Sequence, residues 1–154
     1  MSGERRRGET SRSVTRGIFA AMAMTGMRKV TTGLGLLEET PPVEMAKSAP
    51  VFAPLIRRVP PKYQPEVIEL VHWLYGGVGG AAYGRLVRSR RAWVGPAYGL
   101  GIWAAFETGV VPMLGLDQAG ERKLTSRVFV ALDHVLYGLI LAGEPTSPER
   151  LARG

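Results

Sequence analysis

A chain of 154 residues makes one domain, and it carries no cysteine. Disulfides, thiolate catalysis and cysteine-held metals are therefore excluded. The net charge of +7 would suit nucleic acid, but the arginines flank apolar segments, and neither a recognition-helix pattern nor an aromatic RNA-binding pattern is present, so no nucleic-acid partner is expected.

The mean hydropathy of +0.03 is low for a polytopic membrane protein because charge is segregated into the tails and connecting segments. Segregation of that kind points to a bilayer. Residues 1–16 form a basic, polar stretch, too charged for a cleaved signal, and read as a retained cytoplasmic tail. A first apolar segment follows at 17–37. Arg28 and Lys29 interrupt it about two-thirds along, where they can snorkel to the outer surface. Pairing of Arg28 with Glu107 is the alternative.

The outer loop 38–66 holds seven prolines. Within it Val51, Phe52, Leu55 and Ile56 can share one face of a short interfacial helix, with Arg57 and Arg58 behind them. A plain surface loop packed on the bundle is the other reading. A second segment, 67–86, carries Glu69 and His72. The third, 92–116, is the longest and contains Glu107. The fourth, 126–143, carries Asp133 and His134, and a cytoplasmic tail, 144–154, ends the chain.

A helical span needs about 20 residues. Four helices of a soluble bundle would each show a charged face. The third segment has one charge in 25 residues and shows none. The expected fold class is therefore an all-α membrane protein with four transmembrane helices. With the N-terminus inside, cytoplasmic segments hold eleven Lys and Arg residues and outer segments seven. The short loop from Arg85 to Arg91 alone holds four arginines, which orients both termini to the cytoplasm.

The only two histidines lie in copies of one motif, His72-Trp73-Leu74-Tyr75-Gly76 and His134-Val135-Leu136-Tyr137-Gly138. The repetition predicts two helical hairpins running in the same sense, as parallel repeats. Weaker echoes join the first and third segments: Thr25-Gly26 with Thr108-Gly109, and Leu34-Gly35-Leu36 with Leu114-Gly115-Leu116. Gly76, Gly80 and Gly84 recur every four residues, as do Gly95 and Gly99; Gly109 and Gly138 extend the set. Such faces let backbones pack closely in lipid, and the same glycines in a soluble helix would each cost about 1 kcal/mol.

Helical spacing gathers an intramembrane polar cluster of Glu69, His72, Tyr75, Glu107, Asp133, His134 and Tyr137. Three roles stay open. The groups can fix register by hydrogen bonding across helix seams. They can form a proton-responsive or ion site, since histidine titrates near neutral pH. Glu69-x-x-His72 also has the spacing of di-iron bundles, but position 131 is alanine, so the second copy lacks its glutamate and no metal is expected. No nucleophile–base pattern, phosphate loop or His-Glu-x-x-His stands out, so neither an enzymatic activity nor a cofactor is expected.

These residues resemble the YagU-like group of small bacterial inner-membrane proteins. The likeness rests on Ala20 to Gly26, Gly35-Leu36 with Thr40-Pro41-Pro42, His72-x-x-Tyr75-Gly76 with Gly80 and Tyr83-Gly84, Pro112-x-Leu114-Gly115-Leu116, and His134-x-x-Tyr137-Gly138. It implies a multi-pass protein of the bacterial inner membrane with no established catalysis. Two function classes follow. One is a structural or accessory subunit whose glycine faces bind another membrane protein or a second copy. The other is a proton-responsive or small-solute transport-like protein acting through the His–carboxylate cluster.

Overall fold

The computed structural model describes residues 2–36, 53–87, 91–113 and 124–143. The described residues form helices joined by short turns, with no strand among them, in the order expected. Helix α1 spans Ser2–Gly33, α2 Ala53–Ile56, α3 Gln64–Leu86, α4 Val94–Ala105, α5 Val111–Met113 and α6 Leu124–Ala142. A 3-10 turn, Pro61–Tyr63, leads into α3, and a π-helical turn, Phe106–Val110, joins α4 to α5.

The basic tail is not a separate element: α1 runs through it without a break. Glu4 and Arg5 to Arg7 are strong helix formers, and the apolar segment that follows gives them a helix to extend. The far end of α1 closes with Gly35 at φ +71, where Leu36 N–H donates to Thr31 O and Gly35 N–H to Thr32 O. That reciprocal pair is the glycine C-terminal cap, and it satisfies carbonyls the helix would otherwise leave open.

The expected interfacial helix is a single turn, Ala53–Ile56, with Ala53 buried and Leu55 exposed. Val51 and Phe52, the rest of its proposed apolar face, lie outside the described residues, as do Thr40-Pro41-Pro42 and Leu114-Gly115-Leu116. The third segment is not one α-helix. It runs as twelve α-helical residues, then the π turn, then α5. Pro112 lacks an N–H and would clash with the carbonyl four residues back, and the wider turn just before it accommodates that.

Among the described residues one helix, Leu124–Ala142, is long and apolar enough to cross a membrane. Helix α6 begins at Leu124, two residues before the expected boundary, and gains its length there. The other three expected spans fall short for separate reasons. The apolar half of α1 is interrupted by Arg28 and Lys29, α3 is diluted by glycines and by Glu69 and Arg85, and α4 is cut at Ala105.

The helices pack as two antiparallel pairs, α1 with α3 and α4 with α6, joined mainly along α1 and α6. Both pairs run in the same sense. Gly17 meets Gly76 and Gly80, and Gly95 meets Gly138, at the end of the molecule where Arg16 also lies against Gly143. A guanidinium beside the C-terminus of α6 complements the helix dipole.

The buried core is small and partly polar: Ala20, Met24, Tyr137 and Leu141, with Thr25, Arg28, Thr31 and Asp133. Large apolar side chains are exposed along the helices. Phe19, Met22 and Val30 on α1, Leu70, Leu74 and Val78 on α3, and Val128, Leu132 and Leu139 on α6 are all exposed.

Candidate functional site

The face of α1 turned inward repeats at helical spacing: Gly17, Ala20, Ala21, Met24, Thr25, Arg28 and Thr31. Small residues at its start bring α3 and α6 close. Arg28 then enters the space those helices share. It is 4% exposed, and Asp133 across from it on α6 is 3% exposed. The snorkelling expected for Arg28 therefore does not occur, and its partner is Asp133 rather than Glu107. The reason is geometric. Arg28 lies three and four residues beyond Thr25 and Met24, on the packed face, whereas Lys29 next to it points outward and is exposed.

Arg28 Nε lies 4.0 Å from Asp133 Oδ2 and donates to Met24 O at 3.3 Å. Its Nη2 reaches Thr25 Oγ1 at 3.3 Å and the Nδ1 of His72 at 3.0 Å. Arginine has no acceptor, so the His72 ring accepts here. Thr25 is the second hub. Its hydroxyl donates to Glu69 Oε2 at 2.7 Å and accepts from Trp73 Nε1 at 3.1 Å. One cation thus sits among two carboxylates and an imidazole, drawn from α1, α3 and α6. Burying a charge is tolerated only when pairing and hydrogen bonds offset its lost hydration.

Of the residues expected to cluster, Glu69, His72, Asp133 and His134 do gather around Arg28. His134 keeps to its own helix through Nδ1, which donates to Val130 O at 2.8 Å. Tyr137 reaches across to α3, where its hydroxyl donates to Gly76 O at 2.6 Å. Tyr75, its counterpart in the first copy, is 55% exposed. Glu107 sits half-buried in the π turn. Thr25, Arg28 and Trp73 are site members that motif reading passes over. The available signal was the spacing of Thr25 and Arg28 along a face of glycine and alanine.

Among the described residues no three His, Asp or Glu side chains are grouped to hold a metal ion. Arg28 explains why: a guanidinium occupies the centre where a cation would need to sit.

Of the glycines named for helix packing, Gly76, Gly80, Gly95, Gly99 and Gly138 lie close to other backbone, and these contacts are within the chain. A side chain at Gly76 would meet Ala21 and Gly17, and one at Gly80 would meet Ser13. A side chain at Gly99 would meet the His134 carbonyl, and Gly95 and Gly138 abut each other. Gly84 is half-buried, and Gly109 faces open space. The faces proposed for a partner are thus largely consumed in joining each hairpin.

These contacts also set the repeat register. Gly17 opposes Gly76 as Gly95 opposes Gly138, and Gly17 and Gly95 are 78 positions apart. Ala21 and Gly99 share that offset. The Thr-Gly echo, at 83 positions, does not match it.

A cavity of about 240 Å³ lies beside the cluster, lined by all four long helices, with His72 and His134 on its wall. No family model, curated protein or solved structure matches the chain.

Proposed function

We propose that this chain is an integral membrane protein that crosses the bilayer with four helical segments as two parallel hairpins, and that it serves as a structural or accessory subunit rather than an enzyme. The observation that carries the reading is the inverted distribution of polarity. An arginine and an aspartate are buried at the centre, while leucine, valine and phenylalanine side chains are exposed on the faces of α1, α3 and α6. In water that arrangement leaves large apolar patches unsatisfied. In lipid it is the expected one, since ionisable groups face the bundle interior. The broken third segment still suits a span: Val94 to Met113 is 20 helical residues, about 30 Å at 1.5 Å per residue.

The Arg28 network supports a structural role. Its hydrogen bonds join α1 to α3, and its ion pair with Asp133 at 4.0 Å reaches α6, a placement that suits fixing the register of the two hairpins. With the glycines engaged inside the chain, a partner subunit or second copy would meet the exposed apolar faces of α3 and α6. The resemblance to YagU-like proteins accords with a bacterial inner-membrane location with both termini cytoplasmic. A second reading, proton-responsive or transport-like, draws on the same cluster and the cavity beside it. A salt-bridged arginine at the core of the cluster favours the structural role, because it is a fixed charge.

Absence of cysteine makes the test direct. Single variants Ser11→Cys, Arg85→Cys, Tyr63→Cys and Leu124→Cys are labelled in intact cells with a membrane-impermeant maleimide. The reading requires labelling at 63 and 124 from outside, and at 11 and 85 only after lysis. Recovery of the protein in the soluble fraction after carbonate washing would overturn it.

A further inference from the structure

We propose that the cavity between α3 and α4 binds a lipid-soluble molecule with one hydroxyl on an apolar body, a long-chain phenol or alcohol that enters sideways from the bilayer. The proposal rests on the membrane reading above.

The shape of the site comes first. Ala21 and Met24 of α1 form its floor, and Tyr75 and Val78 of α3 flank its mouth. Val78 is 66% exposed and belongs to the same apolar stripe as Leu74, so the mouth opens toward the hydrocarbon region. The close helix pairs are α1–α3, α4–α6 and α1–α6. Helices α3 and α4 are instead bridged by side chains. Tyr98 donates to Gly79 O at 2.7 Å, and Tyr83 meets the Tyr98 ring edge-on at 5.0 Å.

Chemistry then selects the guest. The His134 Nδ1 proton is committed to Val130 O, so in the neutral ring Nε2 is an acceptor. Tyr137 and Tyr98 give their protons to Gly76 O and Gly79 O, which leaves their oxygens as acceptors as well. His134, Tyr98 and Tyr137 therefore present acceptors, while a neutral His72, whose Nδ1 accepts from Arg28, keeps its proton on Nε2, so the wall suits a group that can donate and also accept. The guanidinium of Arg28 lies behind that wall, turned to His72, and disfavours an ammonium group. A neutral O–H meets both conditions. A purely apolar void would take any guest of the right size, whereas this one distinguishes guests by a single proton.

The test uses the full chain, purified in detergent, with 4-octylphenol and its methyl ether, which share shape and apolarity but differ in the hydroxyl. Native mass spectrometry should retain one phenol per chain. The ether should be retained about tenfold more weakly, the factor expected for one hydrogen bond. His134→Phe should abolish the preference. Val78→Trp, which fills the mouth from an exposed position, should abolish retention of both and carries the test should His134→Phe not fold. Equal retention of phenol and ether, no saturable retention, or a Val78→Trp protein that still holds the phenol would overturn the proposal. A carbonate wash separates the two failures. A membrane-bound protein with no phenol preference loses this site alone, whereas a soluble one loses the membrane reading with it.

Discussion

The two hairpins solve the same packing problem and carry different chemistry. In each, a glycine-rich helix crosses its partner so closely that backbone carbonyls occupy the place of side chains: Gly17 against Gly76 in the first, Gly95 against Gly138 in the second. At the common 78-residue offset Arg28 corresponds to Phe106, and in the His-x-x-Tyr-Gly register Glu69 corresponds to Ala131. The first hairpin therefore holds the cation, one carboxylate and one imidazole, and the second contributes Asp133 and His134 from a single helix. The tyrosines diverge too. Tyr137 is buried and bonded to the first hairpin, and Tyr75 borders the open cavity. The backbone crossing recurs in both hairpins; the polar network spans the two. Even the helices differ at the matching point. Helix α1 runs straight past Arg28, whereas the third segment widens into its π turn at Phe106.

If the crossings are the shared element, breaking either should be equally severe. Gly138→Val and Gly76→Val each drive a side chain into backbone, where no rotamer change can relieve it. Both should prevent recovery of folded protein, a loss beyond the roughly 3 kcal/mol of ordinary overpacking. Gly26→Val and Gly101→Val, where an added carbon meets nothing, should stay within about 0.5 kcal/mol of the parent. Thermal unfolding in detergent separates the two classes. A tolerated Gly138→Val would show that the second crossing is looser than the first.

The network should be asymmetric where the crossings are not. Arg28→Met leaves Asp133 buried without its cation and should cost about 3–5 kcal/mol. Arg28→Met combined with Asp133→Leu should recover much of that loss, because the uncompensated charge is gone. Lys29→Met, one residue along and exposed, should be neutral. A double variant no more stable than Arg28→Met alone would place the value of Arg28 in its bonds to Thr25 and His72 instead.

The sequence made some of this legible and hid the rest for identifiable reasons. Helix α6 and the existence of four helical segments follow from apolar runs that only a helix accommodates. The glycine crossings follow from four-residue spacing. The 78-residue register stayed hidden because its matching positions are Gly17 with Gly95 and Ala21 with Gly99, small residues that carry no identity beyond their size. The identical Thr-Gly pairs pointed elsewhere. Arg28 was obscured by position: two-thirds along an apolar run, a snorkelling and a buried arginine are written alike. What separates them is the face, and the face is fixed by the crossing at Gly17. Residues 1–16 read as a tail because their charge sets them apart from the apolar segment, yet Glu and Arg extend a helix readily once one is nucleated beside them.

The smallest effect is the most discriminating, because it compares one atom in the two copies. Removing the Tyr137 hydroxyl takes one hydrogen bond out of a buried seam between the hairpins, while Gly76 O keeps its helical N–H donor, and Tyr137→Phe should cost about 1 kcal/mol. Removing the equivalent atom in the first copy, by Tyr75→Phe, should cost less than about 0.5 kcal/mol, since that side chain is largely exposed at the cavity mouth. The same pair separates structure from binding. Tyr137→Phe should lower the unfolding temperature, whereas Tyr75→Phe should leave it in place. A Tyr75→Phe loss as large as that of Tyr137→Phe would mean that the two copies share this bond in solution, and that the difference between the hairpins stops at Arg28.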